Sequence, residues 1–173
     1  MARPRPVPED RTLSVRLRPL REDEYAEFLE HGRRQYADDL HRNGSLTPEA
    51  AVAKAERDFA QALPEGLATP GQTVSAIEQL ATGERVGRLW FAARELDGRT
   101  VAYLYDITID EQHRGRGLGR AAMLAFEQAA AADGHEVVEL NVFGGNARAR
   151  GLYRSLGFVE TSVHMQKQLD TNR

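Results

Sequence analysis

Between Thr100 and Ile109 the chain reads TVAYLYDITI, a run of β-branched and aromatic residues suited to a well-buried strand. Glycines follow at 115, 117 and 119, interleaved with Arg114, Arg116 and Arg120, and alanine-rich sequence begins at once. A strand, a bare positive loop and a helix in that order commit the chain to a sheet with a helix leaving its end. Glycine removes side chains, so successive N–H groups can face one anion, and the positive end of the helix dipole adds to the pull. A diphosphate suits such a nest.

Upstream, Leu13, Val15 and Leu17 alternate with Ser14, Arg16 and Arg18 until Pro19, the period of a half-buried strand. Tyr25, Phe28, Leu29, Tyr36 and Leu40 keep helical spacing, which predicts a helix bent at Gly32 with a left-handed stop at Asn43-Gly44. Thr47-Pro48-Glu49 supplies an N-cap, a proline at the first helical position and an acidic first turn. Val52, Ala55, Phe59 and Leu63 then share a face until Pro64-Glu65-Gly66.

Val74, Ala76 and Leu80 alternate up to the turn Thr82-Gly83-Glu84, a second run covers Arg85 to Arg94, and Asp97-Gly98 signals a hairpin into the run from Thr100. Three antiparallel strands in series follow. Past the glycines, Leu118, Ala122, Ala125, Phe126 and Ala129 line a helix ending at Asp133-Gly134, and VVELNV reads as a strand. Ala149, Leu152, Tyr153 and Leu156 mark a short helix capped by Gly157, and FVETSVHMQKQL reads as a closing strand. The order β-α-α-β-β-β-α-β-α-β makes a mixed sheet of α/β (α+β) class.

Length and composition bound the function. The 173 residues suit a single domain over 13–170 behind a flexible proline-rich arm, 1–12. A net charge of -3 offers no global attraction to nucleic acid or anionic membrane, so binding through arginine is local. No run is long and apolar enough for a bilayer or a signal peptide, and a soluble, cytoplasmic protein is the expectation. The absence of cysteine excludes disulfides, thiolate nucleophiles and Cys-based zinc sites. His31, His41, His113, His135 and His164 are scattered without an i,i+4 pair, so no metal site is expected and all five are read as surface residues. No Gly-x-Ser-x-Gly is present, which favours direct transfer over a covalent serine route.

Three phosphate-binding patterns compete for the loop. A Walker loop needs a Gly-Lys pair, and the chain has none. Gly117-x-Gly119-x-x-Ala122 fits the loose dinucleotide fingerprint, with Glu139 as a ribose ligand, but Asp110 to Arg116 intervene between strand and glycine and too little chain follows for further βαβ units. The third pattern is Gln112-x-x-Gly115-x-Gly117-Leu118-Gly119, followed about thirty residues on by LNVFGGNARARGLYRSLGF. Together they resemble the GNAT acetyltransferase superfamily, most strongly from Val101 to Phe158.

That resemblance implies a central twisted sheet of six to seven strands flanked by four helices, splayed between strands 4 and 5. It implies acetyl-CoA as cosubstrate, its pyrophosphate wrapped by main-chain amides from Arg114 through Gly115, Arg116, Gly117, Leu118 and Gly119 to Arg120, with Gln112 opening the motif. Ile107, Thr108 and Ile109 match the strand edge that pairs with pantetheine beside a bulge, and the Ile107 N–H matches the group that polarises the thioester carbonyl. Asn146 matches the asparagine that bonds the coenzyme arm, and Tyr153 the tyrosine that acts as general acid toward the departing thiolate. Residues seven apart on a helix lie on one side, which suits that pair. The strand-four glutamate used as base in one branch has Val101 at its aligned position. Asp106 is the nearest acidic candidate for base or amine-binding group, with Glu78 and Glu139 as others.

The expected activity is transfer of an acetyl group to a primary amine of a small molecule or protein, with Tyr25, Tyr36 and Phe59 either lining the acceptor pocket or serving as core. The alternative is a non-catalytic acyl-CoA-binding or sensing module. A homodimer is the default assembly.

Overall fold

The structure, a computed structural model, describes residues 14–169 except 45, 97 and 168. The arm expected over 1–12, Leu13 of the first alternation and Asp97 of the hairpin signal lie outside the described residues. Strands β1 (Val15–Pro19), β2 (Gln72–Gln79), β3 (Arg85–Leu96), β4 (Arg99–Ile109) and β5 (Val138–Leu140) form one sheet in that order. The first four are an antiparallel meander, and β5 joins β4 in parallel. The parallel step is possible because a helix carries the chain across between them.

Helices α1 (Glu22–Asn43) and α2 (Pro48–Ala62) cover one face of the sheet and α3 (Leu118–Ala132) the other, while α4 (Ala147–Ser155) follows β5. On the α3 face, Leu118, Ala122, Met123 and Phe126 meet Val15, Ile77, Leu89 and Leu104 in the main core. On the other face, Phe28 of α1 and Phe59 of α2 enclose Trp90 of β3, with ring centroids 6.0 and 5.3 Å away. A β2 buried on both sides explains why its predicted alternation was incomplete: Val74, Ser75, Ala76, Ile77 and Glu78 are all buried, and Leu80 past its end is exposed.

Local chemistry accounts for the helix boundaries. Thr47 Oγ1 accepts the Ala50 N–H at 3.2 Å and Pro48 occupies the first turn of α2, as the sequence predicts. The Glu24 carboxylate accepts the Arg21 N–H at 2.9 Å and so closes the start of α1. Gly32 does not interrupt α1; it is the point where α2 comes close, and an added Cβ would lie 2.9 Å from the Phe59 ring. Gly44 ends α1 in extended backbone at φ -118° rather than in the left-handed stop expected. Gly134 and Gly157 do take positive φ, 86° and 97°.

The strand count is the main departure from expectation. Five strands form among the described residues, not six to seven, because the segment after α4 makes no strand. Phe158 packs against the core, but Val159, Val163, Met165 and Leu169 are exposed at 81, 68, 86 and 71%. Alternation records a preference for extended backbone; a strand also needs a partner edge, and β5 offers a ladder of only three residues.

Candidate active site

The ladder between β4 and β5 joins Ala102, Tyr103 and Leu104 to Val138, Glu139 and Leu140, and there it stops. Beyond it the two chains part, and a cavity of about 520 Å³ opens between Asp106 and Ile107 on one side and Asn141 and Val142 on the other. The volume lies within the range of small-molecule sites. Helices α1 and α2 contribute Tyr36, Asp39, Asp58 and Phe59 to its lining, β3 contributes Trp90 and Arg94, and Tyr153 reaches it from α4.

A bulge in β4 sets what faces this opening. The register passes from Trp90↔Asp106 to Phe91↔Leu104, leaving Tyr105 as the extra residue. Before the bulge, the Ala102 N–H donates toward β5, to Val137 O at 3.0 Å; after it, the Asp110 N–H donates toward β3, to Val86 O at 2.9 Å. The inserted residue thus reverses the parity of the strand. Main-chain groups of Ile107 and Ile109 turn to the open edge, and those of Asp106 and Thr108 to β3.

At the far end of β4 a 3-10 turn over Glu111–His113 leads into the glycine loop, and Gln112 stands exposed there. Gly115 and Gly117 have φ of 80° and 78°, and a Cβ added at either would meet nothing within 4 Å. The bare backbone therefore faces open space. The first main-chain bond of α3 is Ala121 N–H to Gly117 O at 3.1 Å, which leaves the amides of Leu118, Gly119 and Arg120 ahead of it directed out of the helix start. Gly119 lies in the first turn, where an added Cβ would be 3.7 Å from Leu152 and 3.9 Å from Ile109. The arginines divide their work: Arg114 Nε donates to Ile109 O at 2.9 Å and ties the loop to β4, Arg120 donates to Ser155 Oγ at 2.5 Å and ties α3 to α4, and Arg116 is exposed.

Asn146 and Tyr153 both line the cavity, as their spacing on α4 suggested. Asn146 Oδ1 caps α4 by accepting the Ala149 N–H at 3.0 Å, so its amide nitrogen is the group left to face outward. Tyr153 packs at 5.7 Å from the Phe158 ring; burial, and then the negative charge of Asp106, push its phenol up to about 12. It stays protonated across the physiological range.

Asp106 also lines the cavity, but its carboxylate is engaged. Arg88 Nε donates to Oδ2 at 2.7 Å with both side chains largely buried, and Thr108 Oγ1 is 3.2 Å from Oδ1. Glu78 and Glu139 are elsewhere: Glu78 is held by Arg16 and Arg18 at the β1–β2 side of the sheet, and Glu139 pairs with Arg99 at 3.1 Å. Tyr36 and Phe59 line the cavity, whereas Tyr25 stacks on Phe28. Val101, at the position of the missing glutamate, is fully buried. One histidine departs from its surface assignment: His113 is buried, with Nε2 3.4 Å from a Glu84 oxygen. Among the described residues no cluster of three or more metal-ligating side chains occurs, and no helix is long and apolar enough to cross a membrane.

Sequence reasoning passed over several residues of this cavity. Trp90 stacks on Tyr105 at 4.6 Å, and the Arg94 guanidinium lies 4.4 Å above the Tyr103 ring. No motif marks them, since they converge only once β3 and β4 pair. Asp39 had a readable signal: Gln35, Asp39 and Asn43 recur every four residues along α1.

The profile of the Acetyltransferase (GNAT) family matches residues 36–158, from α1 through the glycine loop to the end of α4. The chain belongs to the GNAT family. It is an acyltransferase, an N-acetyltransferase of that family, and some of its relatives match nearly its whole length. The uncharacterized N-acetyltransferase YycN of Bacillus subtilis is 33% identical over 91% of this chain and 100% of its own. The crystal structure of YycN superposes with a TM-score of 0.84 over 90% of this chain and 98% of that one. A mycothiol acetyltransferase of Kytococcus sedentarius is 30% identical over 93% of this chain but only 50% of its own length. The bulged, splayed β4 and the open amides of α3 lie within the stretch that the family profile matches.

Proposed function

We propose that this enzyme transfers an acetyl group from acetyl-CoA to a primary amine by direct attack. The observation that carries the reading is the parting of β4 from β5 beyond Leu104 and Leu140, with outward-facing amides at the start of α3 at one end of β4 and Tyr153 in the cavity. The residues fit the coenzyme: a main-chain nest with open space above Gly115 and Gly117 suits a diphosphate, and an unpaired strand edge suits an amide-bearing arm. Acetyl-CoA supplies, when bound, a thioester activated toward amines.

The chain's own residues then have distinct tasks. Amides from Gly115 to Arg120 hold the diphosphate, while the Arg114 N–H, expected among them, donates to Glu111 O at 3.2 Å instead; Arg116 adds charge and Gln112 flanks the turn. The edge of Ile107, Thr108 and Ile109 lines the arm, and the outward Ile107 N–H is placed to donate to the carbonyl oxygen as negative charge grows there. Asn146 offers its amide nitrogen to the same arm. Tyr153 donates a hydrogen bond to the departing sulfur; with a phenol near 12 it stabilises the thiolate more readily than it surrenders its proton. Asp106, fixed by Arg88, supplies negative potential that draws an ammonium into the cavity.

Calorimetric titration with acetyl-CoA, followed by transfer assays on a panel of alkylamines, amino acids and polyamines, tests the reading. It requires binding and transfer to at least one amine. Binding with no transfer to any amine would instead make the chain a coenzyme-binding module, and no binding would remove the reading altogether.

A further inference from the structure

The mechanism above leaves the amine proton without a destination, since Asp106 is already committed to Arg88. The three carboxylates that line the cavity differ in this respect. Asp58 accepts from Lys54 Nζ at 2.8 Å and from the Tyr36 hydroxyl at 2.9 Å. Asp106 is held by Arg88 and Thr108. The Asp39 carboxylate, half-buried, makes no hydrogen bond or ion pair among the described residues, although its backbone carbonyl accepts from the Asn43 side chain at 3.0 Å.

Its position on α1 is fixed from both sides. Gln35 Oε1 accepts from Arg88 at 3.2 Å and lies 3.2 Å from Thr108 Oγ1, which docks that turn on β3 and β4. Two turns later Asn43 Oδ1 accepts the Gly145 N–H at 3.3 Å, docking the helix on the loop that leads to Asn146. The approach is close there: an added Cβ at Gly145 would lie 2.5 Å from the asparagine oxygen. Residues 35, 39 and 43 share one helix face, so Asp39 hangs midway, about 6 Å along the axis from either anchor. The span between those anchors bridges the gap where β4 and β5 part.

We propose that Asp39 is the carboxylate that binds the acceptor's ammonium group and takes its proton. This rests on the acetyl-transfer reading and deepens it. The amine arrives protonated, and one N–H bond breaks with its proton passing to Asp39. The freed lone pair forms the C–N bond as the C–S bond breaks. The nitrogen's surplus proton balances the departing thiolate, which ends as a thiol, and Asp39 returns its proton to water. One proton is released per turnover.

The charges around Asp39 bear on that role. Arg42 and Asp38 flank it on α1, Asp106 faces it from β4 beside Arg88 and Arg94 of β3, and Asp58 with Lys54 stands on α2. Tyr36, Tyr103, Tyr105 and Tyr153 complete the ionisable lining of the cavity. Burial raises the Asp39 carboxyl above the ordinary range, Arg42 opposes the rise, and Asp38 and Asp106 reinforce it. A raised carboxyl is a stronger base toward an ammonium.

The test compares Asp39→Asn with wild type in acetyl-CoA titration, in thermal unfolding and in amine transfer across pH. The proposal expects coenzyme affinity within about twofold of wild type and kcat/KM at neutral pH reduced by about 10²- to 10⁴-fold, the usual weight of a general base. The deficit should shrink as pH rises toward the amine's own pKa, and should be small for an aniline, which arrives unprotonated. Unchanged kcat/KM at neutral pH overturns it. A deficit equal at every pH and for the aniline also overturns it, since that is the mark of a structural role. A wild type that binds acetyl-CoA but acetylates no amine, or binds none, sinks the parent reading instead.

Discussion

Replacing Gly117 with alanine separates what the glycine does for the fold from what it does for the coenzyme. At φ 78° an L-residue sits in the left-handed region, yet an added Cβ would meet no protein atom within 4 Å. The folding cost is therefore backbone strain alone, roughly 1–2 kcal/mol, or about 2–8 °C in Tm for a chain of this size. Any effect on coenzyme comes from a methyl group standing where the diphosphate should lie. Displacing one charge-assisted amide contact costs about 1.5–3 kcal/mol, equivalent to about 10- to 150-fold in affinity. Gly83, between β2 and β3, provides the control: its φ is 70°, its added Cβ also meets nothing, and it lies at a turn remote from the glycine loop. Both variants should lose similar thermal stability, measured by differential scanning calorimetry, and only Gly117→Ala should lose acetyl-CoA affinity, measured by isothermal titration. If Gly117→Ala bound acetyl-CoA as tightly as wild type, or Gly83→Ala bound it equally poorly, the assignment of the loop would be refuted.

Tyr153→Phe should lower kcat by about 10- to 150-fold, the worth of one hydrogen bond to a charged group, with coenzyme affinity nearly unchanged; steady-state kinetics and titration together check this. Gly32→Ala places a methyl 2.9 Å from the Phe59 ring and should cost about 1–3 kcal/mol by overpacking, read from urea unfolding, with Phe59→Leu in the same chain restoring part of the loss. Glu24, bonded to Arg18 and capping α1, has its carboxyl lowered to about 2 from an ordinary 4.5. A lowered folded value means that its contribution, on the order of 3 kcal/mol, is fully present above about pH 4.5 and lost as pH falls toward 2. Unfolding curves across that window should show the loss, and Glu24→Gln should flatten it.

Some of this enzyme was legible in single stretches of chain. The cap at Thr47-Pro48, the strand from Thr100, the glycine loop and the helix after it are local decisions, made by dihedral preference and periodicity within a dozen residues. The paired motifs were sufficient to carry the family resemblance, and with it the positions of Asn146 and Tyr153, because one helix face relates them at fixed spacing. The closing strand was misjudged for the opposite reason. Val159, Val163 and Met165 have the right alternation, but pairing depends on an edge elsewhere in the fold.

The cavity's charge pattern was decided by tertiary structure. Nothing in LYDIT shows that Arg88, eighteen residues upstream, pairs with Asp106, or that a one-residue bulge at Tyr105 turns Ile107 toward the gap. Nor does the sequence around Asp39 show that, among the described residues, its carboxylate alone of the cavity's three lacks a protein partner. Local sequence determined the elements and the backbone nest, since propensity and φ act within the segment itself. Which acids are paired, which amides are free and where two strands separate were settled only when distant segments met, because a charge's partners and a strand's edges belong to the neighbours it acquires on folding.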